Sequence, residues 1–135
     1  MAWLSSVNLF ARNLEGLVSF YAGLFDLPEK PELRSPIYRA LDGGGVMIGF
    51  NGLEAYRLLN LDPSVAPAGT RSLLTFDVED VGEVARLSGE AVKSGAVLMK
   101  PPYDTAYGSR QAVLLDPEGN IFRINAFRSA ETPSS

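Results

Sequence analysis

The sequence predicts an α+β fold assembled from two β-α-β-β-β modules, and three observations carry that expectation. A strand-like segment, a capped amphipathic stretch and further strand-like segments follow one another once in each half of the chain. The second occurrence lies about 67 positions after the first, the mark of an internal duplication. The later segments of each half are joined by short Gly- and Pro-rich turns, as hairpins require.

In the first half, Leu4 to Arg12 reads as a strand, with Ser6, Asn8 and Phe10 on one face. Asn13 offers an N-cap. Leu14, Leu17, Val18, Tyr21, Leu24 and Phe25 then recur at helical spacing. Tyr21 is read as core, with its hydroxyl reaching the helix exterior. Asp26-Leu27-Pro28 ends the helix, since proline cannot continue the ladder. Strands are expected at Ile37–Leu41 and Val46–Asn51, joined by Asp42-Gly43-Gly44-Gly45, with a weaker strand signal at Glu32–Arg34.

The second half repeats this order. Ser72–Val78 is a strand, and Asp80 with Glu83 has the spacing of a capping box. Val81, Val84, Leu87, Ala91 and Val92 form the helical stripe, ended at Gly95. Val97–Lys100, Arg110–Leu115 and Ile121–Phe127 read as strands, the last two joined by Asp116-Pro117-Glu118-Gly119-Asn120. One domain, 1–135, is expected: module one at 3–51, a linker at 52–70, module two at 71–127 and a frayed tail at 128–135.

Composition narrows the function classes. Nearly half of the 135 residues are hydrophobic, ordinary for a globular domain. A formal charge of −4 and the lack of any Lys/Arg run argue against nucleic-acid binding. No stretch is apolar enough to span a membrane, and Met1–Leu9 has no basic region followed by an apolar run, so a cytoplasmic protein is expected. The chain contains no cysteine and no histidine. Disulfides, zinc–thiolate centres and Ser–His–Asp or Cys–His devices are therefore excluded; carboxylate sites for Mg²⁺ or Ca²⁺ are not.

The ordered set Asn13-Leu14, Ser19-Phe20-Tyr21, Leu24-Phe25-Asp26-Leu27, Phe76-Asp77-Val78-Glu79-Asp80-Val81, Pro101-Pro102-Tyr103, Tyr107-Gly108 and Asp116-Pro117-Glu118-Gly119-Asn120 resembles the vicinal-oxygen-chelate superfamily. That superfamily holds glyoxalase I, extradiol dioxygenases, and fosfomycin- and bleomycin-resistance proteins. The resemblance spans essentially residues 3–127. It implies a curled mixed-sheet cup with helices outside, in a homodimer. It also implies four inward positions, His or Glu in the metal enzymes, on the first and last strand of each module. Counting back from the caps puts the first-strand positions at Ser6 and Leu73; the last-strand positions fall near Met47 and at Arg123. These side chains cannot together ligate a divalent cation. No metal and no other cofactor is expected, and no catalytic residue is assigned.

The expected wall of the cup includes Ser6, Asn8, Phe10, Met47, Gly49, Leu73, Thr75, Asp77, Ile121, Arg123 and Asn125, an apolar lining with a few polar groups. Arg123 either offers a fork to a carboxylate or phosphate, or pairs internally with Asp77. Asp77 is a general base or a strand-end carboxylate. Tyr103 and Tyr107, read as loop residues, stack on a planar ligand or pack on their own module. Trp3, Tyr38, Phe50 and Tyr56 belong to the pocket, the core or a dimer interface.

The leading expectation is a metal-independent binder of a small organic molecule, aromatic or anionic, resembling bleomycin-resistance-type sequestering proteins. The alternatives are a metal-free isomerase or lyase using Asp77, a tyrosine and Arg123, and a structural dimer whose cup is filled by its own side chains.

Overall fold

The computed structural model describes residues 1, 4–61 and 72–128. Trp3, residues 62–70 of the expected linker and the tail from 129 onward lie outside the described residues. The chain divides into two compact units, Met1–Ala68 and Gly69–Ser135. Among the described residues there are two mixed sheets, of three and four strands, and three α-helices; neither sheet closes into a barrel.

The first unit begins with β1 (Ser6–Ala11), which alternates as a half-buried strand should: Leu9 and Ala11 are buried, Ser6, Asn8 and Phe10 are not. Asn13 then caps α1 (Leu14–Phe25), its side-chain oxygen accepting from the Gly16 amide at 3.0 Å. The helix buries Leu17, Val18, Phe20 and Tyr21. Tyr21 lies 5.8 Å, ring to ring, from Phe50 and is wholly buried, so its hydroxyl does not reach the exterior. Asp26 ends α1 in the left-handed conformation, φ 55°, which Asp tolerates better than most residues.

The sheet order is β1–β3–β2, with β2 (Tyr38–Asp42) antiparallel and β1 parallel to β3 (Met47–Gly52). Gly44 and Gly45 sit at φ 82° and 123° in the β2–β3 turn, which an L side chain would resist. The weak strand signal at Glu32–Arg34 is not a strand: Pro31–Leu33 forms a 3₁₀ turn, because Pro31 is suited to a helical first position. An isolated bridge between Glu29 and Leu41 stands where the fourth strand of the module would lie. A four-residue helix, α2 (Ala55–Leu58), opens the expected linker.

The second unit has all four strands, ordered β4–β7–β6–β5. They are β4 (Leu74–Asp77), β5 (Val97–Asp104), β6 (Ser109–Leu115) and β7 (Ile121–Phe127). The helix α3 (Val81–Lys93) buries Val84, Leu87, Ser88 and Ala91. In the sheet it meets, the buried residues are Ala112 and Leu114 of β6 and Phe122, Ile124 and Ala126 of β7. Phe76 meets Phe122 edge to face. Asp80 caps α3, but on the Gly82 amide at 3.0 Å. The Glu83 side chain is turned to Arg86 instead, so the reciprocal half of the capping box does not form. Strand β5 runs four residues further than expected, carrying Pro101-Pro102 through register shifts that leave their missing amides unneeded.

Candidate functional site

Strand alternation and register place Ser6, Asn8, Phe10, Met47 and Gly49 on one face of the first sheet, and Thr75, Asp77, Tyr103, Arg123 and Asn125 on one face of the second. In the second unit that face carries two rows that cross all four strands. Lys100, Val113, Arg123 and Thr75 form one row; Tyr103, Gln111, Asn125 and Asp77 form the next. A third, apolar row holds Val97, Leu115 and Ile121. Tyr103 is thus a strand residue rather than a loop residue, because β5 extends to Asp104. Tyr107 does lie in the β5–β6 turn and is exposed.

Gln111 organises this face. Its carboxamide oxygen accepts from the Tyr103 hydroxyl at 3.0 Å and from Arg123 Nη1 at 3.4 Å. The amide nitrogen donates to the Tyr107 hydroxyl at 2.6 Å and to Asn125 Oδ1 at 3.2 Å. Asn125 in turn donates to Asp77 at 3.1 Å, and Arg123 Nε donates to Thr75 Oγ1 at 2.7 Å. Lys100 Nζ lies 3.8 Å from the centre of the Tyr103 ring, a cation–π contact. Gln111 and Asn125 are buried and hydrogen-bonded, as buried amides must be. Among the described residues Arg123 has no carboxylate partner; the ion pair with Asp77 is not made.

Gln111 was not among the predicted site residues, yet the signal was present. The turn at 116–120 pairs Leu115 with Ile121, and counting outward along the hairpin brings Gln111 opposite Asn125.

The first unit is organised differently. Asn8 donates to Ser6 Oγ and accepts from Asn51, both at 3.4 Å. Phe10 is covered by Tyr56 of α2, the rings stacked 4.3 Å apart at 13°, so these two aromatics are spent on each other. Met47 pairs with Ser6 and Gly49 with Asn8. A Cβ on Gly49 would fall 1.9 Å from Asn8 Oδ1 and 2.6 Å from the Tyr38 hydroxyl, so those two groups occupy the space that a side chain would take.

The duplication identifies equivalent positions. Ser6 and Leu73 stand equally far before the caps Asn13 and Asp80, as do Asn8 and Thr75. Thr75 pairs with Arg123 and Asn8 pairs with Gly49, so the first-module counterpart of Arg123 is Gly49 rather than Met47. Leu73 precedes β4 and is exposed. The four positions that resemblance assigns to metal ligands therefore carry a hydroxyl, no side chain, an isobutyl group and a guanidinium. That donor set does not fit a divalent cation. Among the described residues no three of Asp, Glu, His and Cys gather in metal-holding range.

Two α+β modules with a polar sheet face in the second define a protein of the glyoxalase type, and comparison with known families agrees. The profile of the glyoxalase-like domain matches residues 6–125, and the chain belongs to that family. A glyoxalase/bleomycin resistance protein/dioxygenase family enzyme from Burkholderia phytofirmans PsJN is 46% identical, with a TM-score of 0.90 over 94% of this chain and 100% of its own. TioX from Micromonospora sp. ML1 shares the fold at 22% identity and TM-score 0.67, over 94% and 100% of the two chains. Lactoylglutathione lyase from Agrobacterium tumefaciens does so at 17% identity and TM-score 0.70, over 93% and 94%. No curated protein matches the chain.

Proposed function

We propose that this protein is a metal-independent small-molecule-binding member of the glyoxalase-like family, and that it takes its ligand on the polar face of β4–β7–β6–β5. The carrying observation is the continuous network from Asp77 through Asn125 and Gln111 to Tyr103, Tyr107 and Arg123. Such a network presents fixed donors and acceptors beside an apolar row, the composition of a small-molecule site. The donor set at the four ligand positions supports metal independence. The acid–base reading finds no matching support: Asp77 is exposed and its carboxylate is engaged by Asn125.

The test is a small-molecule library screened by thermal shift and confirmed by calorimetry. Protein stripped with EDTA is compared with protein supplied with Zn²⁺, Mn²⁺ or Mg²⁺. The expected result is binding with equal affinity in both preparations, weakened by Tyr103→Ala and Arg123→Ala. Binding that requires the metal, with stoichiometric metal by elemental analysis, overturns the reading.

A further inference from the structure

We infer that the ligand is an organic monoanion, an apolar or aromatic carboxylic acid, whose carboxylate is held by the Arg123 guanidinium; the inference rests on the binding function proposed above. Arg123 differs from five other described arginines. Arg34, Arg39, Arg86, Arg110 and Arg128 all lie against Asp or Glu. Arg123 is half-buried and, among the described residues, meets only neutral acceptors, Thr75 and Gln111. Those bonds orient the guanidinium without neutralising it. A partly desolvated cation without a counter-ion is unfavourable, and an incoming carboxylate relieves it with two parallel N–H···O bonds.

A carboxylate is within register of Arg123 and is not used. Asp77 lies diagonally across the β4–β7 pair, but Asn125 donates to it and Thr75 holds Arg123 Nε. The fork is thereby kept off the protein's own acid. Among the described residues of this face, charge also favours an anion, since Arg123 and Lys100 outnumber Asp77. The row beyond Arg123, ending in Leu115 and Ile121, is apolar and would accept the body of such a molecule.

The experiment uses matched pairs: benzoate with benzamide, and phenylacetate with phenylacetamide, titrated by ligand-observed NMR into the full chain. Each acid should bind at least about tenfold more tightly than its amide. Arg123→Met should abolish that preference and Arg123→Lys should keep part of it, with circular dichroism verifying the fold of both variants. Amides that bind as tightly as acids, or a preference that survives Arg123→Met, overturn the inference and leave the proposed binding function standing. Failure of every acid to bind, while members of the wider library do bind, overturns it too. Failure of the whole library removes the binding function itself.

Discussion

Gln111 makes four hydrogen bonds at the centre of the second sheet, so two substitutions there separate structure from charge. Gln111→Leu keeps the volume and removes the amide, stranding the buried Asn125 side-chain carbonyl and the half-buried Tyr103 hydroxyl. A loss of about 1–3 kcal/mol is expected in urea denaturation. Gln111→Glu puts a carboxylate next to Arg123, where Nη1 now lies 3.4 Å from the amide oxygen. That variant should stay folded by circular dichroism yet lose benzoate binding by about tenfold, since the cation is then neutralised internally. Equal benzoate affinity in wild type and Gln111→Glu would separate the anion site from this network.

Among the elements, turns and ion pairs do different work from the sheet faces. Asp116 is buried in the β6–β7 turn, and its Oδ1 accepts from the amides of Glu118 at 2.8 Å and Asn120 at 3.0 Å. The Asp-Pro-Glu-Gly-Asn segment that supports the family resemblance is thus a structural clasp that sets the β6–β7 register. Asp116→Ala should cost about 1–2 kcal/mol and leave any ligand preference unchanged. In the first unit, Glu29 binds both Arg34 and Arg39, and Arg39 also meets Glu15, tying α1 to β2. Hydrogen bonds from Arg34 and Arg39 hold the Glu29 carboxyl at about 2, down from 4.5. A depressed carboxyl contributes stability that is complete above 4.5 and is lost as pH falls through about 2. Glu29→Gln should therefore be less stable than wild type at pH 7, by about 1–3 kcal/mol. Its denaturation midpoint should also change less between pH 5 and pH 2. Parallel acid titrations of the two proteins would show a missing linkage. Nothing in the sequence reveals this network, because Glu15, Glu29 and Arg39 are far apart in the chain and Glu15 and Glu29 read as ordinary solvated surface. The seven described strands, α1, α3 and the residues sharing a face were legible, because periodicity and caps are local; the 3₁₀ turn at Pro31–Leu33 and the short α2 were not. The length of β5 was not, since Pro101-Pro102 reads as a break until bulges on an edge strand accommodate it.

At the scale of the whole molecule, the two copies differ sharply at one equivalent pair, Gly49 and Arg123. The same strand position is vacated in one copy and filled by a cation in the other. In the first, Asn8 and Tyr38 occupy the space a side chain would take, and a Cβ there would overlap both. Gly49→Ala is therefore expected to destabilise the chain by about 1 kcal/mol, mainly through displacement of Asn8, which would give up its hydrogen bonds to Ser6 and Asn51. Asn8→Ala removes the nearer obstacle, so the pair should be strongly non-additive, with Gly49→Ala costing much less in the Asn8→Ala background. A double-mutant cycle by urea denaturation measures this coupling. Additive losses would mean that Asn8 does not occupy the Gly49 space in solution. If the coupling holds, the first copy cannot regain a side chain at this position without rebuilding its neighbours. The asymmetry between the modules is then fixed by packing in one copy and by an uncompensated charge in the other.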